Sequence, residues 1–148
     1  MNAIRPWLYI GKYRETLDKD LLFVKKIDAM LQLAEAVKHP NITSLYLPVE
    51  DGVPLPEYLL QQGVKFVLFE KSLGHTVLIA CGAGMSRSVV FTVAVLKEAE
   101  GLSLLEALQA VKHHHPESLP HPALWESLCT YYHEEISIDR MFNMIRDT

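Results

Sequence analysis

A chain of 148 residues is long enough for one domain with a real core. Hydrophobic residues at 49% and charged residues at 22% are ordinary for a globular protein, and a net charge of −4 argues against a nucleic-acid or anionic-membrane surface. No apolar run approaches a membrane span, Arg5-Pro6-Trp7 interrupts any apolar signal, and two cysteines make no disulfide framework, so the expectation is a cytoplasmic protein with reduced thiols.

In chain order, Trp7-Leu8-Tyr9-Ile10 is rich in strand formers and stops at Gly11. Asp18 to Lys26 reads as one short helix, with Asp18 as its cap and Leu21, Leu22 and Val24 as its packing face. Ile27 to Ala34 is ambiguous between helix and strand on periodicity. Glu35 to Asn41 is a polar connection closed by His39-Pro40, and Thr43 to Leu47 is the next strand. Asp51-Gly52, with prolines 48, 54 and 56, forms a stiffened loop, and Pro56 is placed to open the following helix. From Glu57 to Lys71 the residues Leu60, Val64, Val67 and Leu68 share one face. Gly63 inside that helix should cost about 1 kcal/mol relative to alanine.

Val77 to Ala80 is a short apolar run suited to a strand buried on both faces, and Val89 to Leu96 is apolar all round, as in a central helix. Gly101 stops that helix, and Ser103 with Glu106 forms a capping box opening another, through about His113. Prolines 116, 120 and 122 break the chain. A final helix begins near His121 with Leu124, Leu128 and Tyr131 on its stripe, and residues 136–145 either extend it or form a separate helix. Strands alternating with helices predict a single α/β domain with a central, mostly parallel sheet of four or five strands and helices on both faces.

The chemistry is concentrated between Cys81 and Ser88. A strand, a small-residue loop and a helix make an anion site, because loop and first-turn N–H groups converge while the helix dipole favours negative charge. Gly82 and Gly84 let the backbone approach the anion, and Arg87 can grip two of its oxygens. A tetrahedral phosphate fits such a cradle, formed by Gly82, Ala83, Gly84, Met85, Ser86 and Arg87, better than a planar carboxylate does. Cys81 then faces N–H groups, a helix N-terminus and a guanidinium, surroundings that favour the nucleophilic thiolate. A buried structural thiol is the competing reading, and Gly84, Arg87, Ser88 and Asp51 at their spacings argue against it. His113, His114, His115, His121 and His133 with Cys129 invite a metal reading, but they show no ligand spacing beyond Cys129 and His133, so they are expected on the surface with no metal and no cofactor.

Cys81 to Ser88 fits C-x-x-G-x-x-R-[ST], the signature of the cysteine-based protein tyrosine phosphatase superfamily. Leu47 to Asp51 resembles the P-I-x-D loop that carries the general acid in dual-specificity phosphatases. Ile4 to Gly11 resembles that subfamily's opening strand, and His115-Pro116 through Leu128 its "RP…P-N-x-x-F…Q-L" segment. The resemblance spans residues 4–132. It implies a small, atypical dual-specificity phosphatase with residues 1–148 as its catalytic domain, and it favours a strand at Ala29 to Leu33. It further implies Cys81 as nucleophile, Asp51 as general acid, Arg87 on the phosphoryl oxygens and Ser88 as hydrogen-bond partner of the departing sulfur. Glu50 competes with Asp51 for the acid, and a turn aspartate before Gly52 is the alternative for Asp51 itself.

The family usually has histidine immediately before the cysteine; here the residue is Ala80, which implies a weaker nucleophile. The expected substrate is a phosphorylated protein or small phosphomonoester, with phosphotyrosine foremost and phosphoserine or phosphothreonine also accepted. No Lys or Arg lies between Cys81 and Arg87, which disfavours phosphoinositides. A low-turnover phosphate-binding pseudophosphatase is the alternative. An arsenate reductase is a weaker one, because Cys129 is the only further thiol.

Overall fold

The computed structural model describes residues 1–148. The chain opens with a hairpin, β1 (Asn2–Arg5) and β2 (Leu8–Lys12), turning at Pro6-Trp7. The single opening strand expected from the sequence is therefore two, because Pro6 cannot donate to a ladder and breaks the run. Two short helices follow, α1 (Tyr13–Thr16) and α2 (Lys19–Val24), the first of which the sequence did not announce. Asp18 caps α2 as predicted, accepting from the Leu21 N–H at 3.0 Å. Of the predicted packing face only Leu22 is buried; Val24 is 69% exposed. Two positions on from Leu22 is about 200° around a helix, so Val24 must point away.

β3 (Ala29–Gln32) resolves the ambiguous segment as a strand, and β4 (Thr43–Tyr46) lies beside it. α3 (Glu57–Ser72) carries Leu60, Val64 and Val67 inward. Pro56 is its N-cap, not its first residue. β5 (Val77–Cys81) is buried throughout and runs into a loop and α4 (Arg87–Glu100), whose residues 88–96 are all buried. Gly101 closes α4 in the left-handed conformation at φ 69°. α5 (Leu104–His114) opens on the Ser103–Glu106 capping box. α6 (Pro122–Tyr132) and a separate α7 (Ile138–Asp147) complete the chain.

The five strands are ordered β1-β2-β5-β3-β4, with β1 antiparallel and the rest parallel. Alternation along the strands splits the core. Leu31, Ile79 and Cys81 face the large cluster that includes α3, α4 and α5, whereas Met30, Leu78 and Ala80 join Leu22 and Ile27 in a five-residue cluster under α2. β5 is thus the central strand, with β2 on one side and β3 on the other, and its C-terminal end sits at the middle of the sheet edge where α/β proteins place their sites.

Gly63 proves to be a packing residue. A Cβ there would lie 2.4 Å from Phe91 Cε1, so only glycine lets α3 approach α4 this closely. The helix-propensity cost read from the sequence is real, but alanine would not recover it.

Candidate active site

The loop after β5 turns over the end of β2. Gly84 adopts φ +71°, and a Cβ there would meet the Gly11 carbonyl oxygen at 3.0 Å, so glycine is demanded twice over. At Gly82 a Cβ would lie 3.1 Å from Arg87 Nη2, so its absence lets the guanidinium come close. Arg87 Nη1 donates to the Val49 carbonyl at 3.0 Å and to the Leu33 carbonyl at 3.3 Å. These two acceptors lie just beyond β4 and β3, so the arginine is aimed by the ends of the sheet.

Three outward bonds set the loop's peptide planes. The Gly82 carbonyl accepts from the Tyr13 N–H at 3.3 Å, and the Met85 carbonyl from the Leu119 N–H at 2.8 Å. The Gly84 carbonyl accepts from His115 Nε2 at 2.5 Å. In a trans peptide the next N–H points opposite to the carbonyl, so the N–H groups of Ala83, Met85 and Ser86 are turned away from these partners. The Ser86 hydroxyl accepts from the His121 N–H at 2.9 Å and does not cap its own helix, so the first-turn N–H groups of α4 receive no side-chain cap. Such donors are what a bound anion uses.

Cys81 is buried, and its Sγ lies 3.1 Å from Ser88 Oγ. A thiolate there would accept a hydrogen bond from the serine hydroxyl. Ser88 in turn sits in the first turn of α4, where its carbonyl accepts from the Thr92 hydroxyl at 2.7 Å. The second cysteine contrasts with the first. Cys129 lies in α6, 3.8 Å from the Ile136 carbonyl, and burial pushes its thiol up.

A cleft of about 320 Å³ brings together Asp51, Cys81, Ala83, Met85, Ser86 and Arg87. Glu50 is exposed and does not line it. Asp51 is also exposed, its Oδ1 accepting from the Gly52 N–H at 3.1 Å, so the turn role and the cleft position coexist. Ser88 lies beneath the sulfur, and Gly82 and Gly84 shape the loop without lining the cleft. Met85 and Leu119 put apolar surface at the mouth, and Phe142 of α7 adds an aromatic edge.

Sequence reasoning missed several participants. His121 lines the cleft, with its Nδ1 accepting from the Ala123 N–H at 3.0 Å as the cap of α6. Its Nε2 lies 3.6 Å from the position a Gly52 Cβ would take, beside the Asp51 turn. His115, expected on the surface, is 2% exposed. The signal available for both was the proline punctuation around them, which marks a constrained segment but not its contacts.

The family model of the dual specificity phosphatase catalytic domain matches residues 8–134. The chain belongs to this family. Mouse (Mus musculus) dual specificity protein phosphatase 15 is 30% identical over 132 residues, covering 86% of this chain and 56% of its own length. Mouse dual specificity protein phosphatase 19 is 27% identical over 135 residues, covering 88% of this chain and 61% of its own. The chain therefore spans little more than half the length of these relatives. The crystal structure of human DUSP28 has the same fold, with a TM-score of 0.83 at 24% identity, covering 90% of this chain and 96% of that one. Within this dual specificity phosphatase fold, Ala80 points into the small cluster with Leu22, Met30 and Leu78, on the face of β5 away from the Cys81 side chain. The parts that reach the site from outside the matched residues are β1, through Asn2, and α7, through Phe142.

Proposed function

We propose that residues 1–148 act as a metal-independent phosphatase domain on phosphomonoesters of proteins, with phosphotyrosine the foremost substrate and phosphoserine or phosphothreonine also accepted. The observation that carries this is the joint placement of Cys81, Arg87 and Asp51 in one cleft, with loop N–H groups oriented by outward carbonyl bonds. In the first step Cys81 Sγ attacks phosphorus, an S–P bond forms, and the P–O bond to the leaving group breaks as Asp51 gives that oxygen its proton. Arg87 and the N–H groups of residues 82–87 hold the three equatorial oxygens through the transition state. In the second step water attacks phosphorus, Asp51 takes its proton, and the S–P bond breaks as the Ser88 hydroxyl donates to the departing thiolate. No metal or cofactor enters either step.

The apolar mouth formed by Met85, Leu119 and Phe142 suits the ring of a phosphotyrosine, and the absence of Lys or Arg between Cys81 and Arg87 disfavours a polyanionic inositol headgroup. A cytoplasmic, reducing location suits a catalytic thiol. The low-turnover binding reading draws on Ala80 alone, whereas all three reacting groups are retained. The deciding experiment is hydrolysis of an aryl phosphate by purified protein in chelator, followed by a phosphopeptide panel. Turnover inhibited competitively by tungstate is expected; tungstate binding without turnover would favour the binding module, and a metal requirement would overturn the mechanism.

A further inference from the structure

Three carbonyls of the phosphate loop are held from outside, two by backbone N–H groups and one by a side chain, His115. Its Nε2 lies 2.5 Å from the Gly84 carbonyl oxygen, which can only accept, so Nε2 carries the proton. Its Nδ1 lies 2.7 Å from Asn2 Nδ2, which donates, so Nδ1 is bare. The Glu117 carboxylate lies 3.5 Å from the same Nδ1, with a half-open side chain. The Gly84 carbonyl calls for the proton on Nε2, and the Asn2 amide, nearer to Nδ1 than Glu117 and donating to it, favours the same tautomer. The ring itself is 2% exposed, and neither chemical step uses it.

The position of this bond matters more than its number. Gly84 is the left-handed residue at the centre of the loop, and its carbonyl shares a peptide plane with the Met85 N–H. Pulling the carbonyl outward holds the Met85 N–H on the other side of that plane, toward the cradle. If the plane were free to flip, the carbonyl oxygen would face the anion and repel it. Ala80 supplies nothing here, because its methyl group lies on the opposite face of β5 in an apolar cluster.

We propose that His115, its tautomer favoured by Asn2, is a positioning residue that locks the Gly84–Met85 peptide in its anion-binding orientation, bracing the loop from the α5–α6 connection in a chain that has alanine before the nucleophile. The inference rests on the phosphatase reading, since it concerns the same loop. Asn2 lies in β1, outside the residues matched by the family model, so this brace joins a peripheral strand to the chemical centre.

Two substitutions separate the roles. In His115→Gln the amide nitrogen stands close to where Nε2 stood and can still donate to Gly84; in His115→Asn it is too short to reach. Tungstate affinity, the kcat and KM for an aryl phosphate, and the pH dependence of Cys81 alkylation by iodoacetate are measured for each, below the melting temperature of both. His115→Asn should weaken tungstate binding by about tenfold, the effect of one lost hydrogen bond on an orientation. It should also lower kcat and move the alkylation profile to higher pH. His115→Gln should stay within about threefold of the parent. Equal losses in both variants, tracking only their melting temperatures, would mean that the ring merely fills space and would overturn the proposal.

Should either protein fail to fold, Asn2→Ala gives the answer from the other end. It frees the ring to take the wrong tautomer and should weaken tungstate by about threefold; parent-like affinity would overturn the proposal. A parent protein that neither binds tungstate nor hydrolyses aryl phosphate sinks the phosphatase reading and this inference with it. An active parent with unchanged His115→Asn sinks this inference alone.

Discussion

The two loops that meet across the cleft are built on different terms. The loop from Cys81 to Arg87 is tied by four bonds from two segments, one from Tyr13 at the start of α1 and three from His115, Leu119 and His121 in the α5–α6 connection, and its arginine is fixed on two further carbonyls. The loop carrying Asp51 is exposed from Glu50 to Pro54 and is anchored at its ends, by buried Val49 before it and buried Leu55 after it. Leu55 N–H donates to Ser127 Oγ at 2.9 Å, and Val49 offers its carbonyl to Arg87. Oriented dipoles must be in place before charge develops, and they gain most from a fixed scaffold. A proton donor has only to reach the leaving oxygen, so an exposed turn with held ends suffices. Damage to the first loop should therefore abolish or cripple every substrate's reaction, while damage to the second should depend on the leaving group.

The largest effect tests the nucleophile. Cys81→Ser should reduce aryl phosphate hydrolysis to background while tungstate still binds the loop. Residual turnover in that variant would remove the covalent step.

Next comes the acid. Asp51→Asn should lower kcat/KM by about 10²- to 10⁴-fold, the usual span of general-acid help. Under the proposed mechanism the acid must be protonated to act, so the pH–rate curve should fall on its basic side and this variant should flatten that limb. The loss should shrink for phenols that are already acidic, because they need less protonation. Glu50→Gln should leave both limbs standing; if it removes the falling limb and Asp51→Asn does not, the two residues exchange roles.

A smaller effect separates loop geometry from loop presence. Gly84→Ala places a non-glycine residue at φ +71° and brings its Cβ within 3.0 Å of the Gly11 carbonyl. Left-handed strain of about 1–2 kcal/mol corresponds to roughly five- to thirtyfold in the population of the correct loop. Tungstate affinity should fall by that factor, with little change in the binding of substrate parts outside the loop. An unaltered affinity would show that the cradle tolerates movement at Gly84 and that its bracing is not needed.

The comparison also explains what could be read in advance. The strand, loop and helix around Cys81 were legible because their signals are local: an apolar run, two glycines, an arginine and an apolar helix within a few turns. The Asp18, Ser103 and Gly101 caps were legible for the same reason. The braces were not. His115 meets Gly84 and Asn2 across 31 and 113 positions, and no periodicity encodes a partner that distant. Gly63 carried a readable helix penalty but not its reason, since Phe91 is a tertiary neighbour. The opening hairpin was hidden because β1 is short and its pairing with β2 shifts register between Ala3 and Arg5.

The smallest predicted effect concerns how β1, the strand that carries Asn2, is held. Arg5 Nε and Nη2 meet the two carboxylate oxygens of Glu100 at 2.8 and 2.9 Å, fastening β1 to the end of α4. The hydrogen bonds with Arg5 hold the Glu100 carboxyl below its usual range, and the same bonds raise the Arg5 guanidinium. A depressed carboxylate contributes stability that is present above its unfolded pKa and is lost as pH falls through the folded value; the raised arginine stays charged throughout. Both side chains are partly open to solvent, at 25% and 32%, so screening limits the pair to about 0.2–1 kcal/mol. Glu100→Gln should therefore lower stability to urea by no more than that at neutral pH, and the difference should close in acid and in high salt. Activity should stay within about twofold of the parent, because the β1–β2 ladder holds Asn2 without this pair. A difference that widens in acid would contradict the sign of the carboxyl shift. A loss of tungstate affinity in step with stability would mean that the well-held loop draws its rigidity from as far as the Arg5–Glu100 clasp.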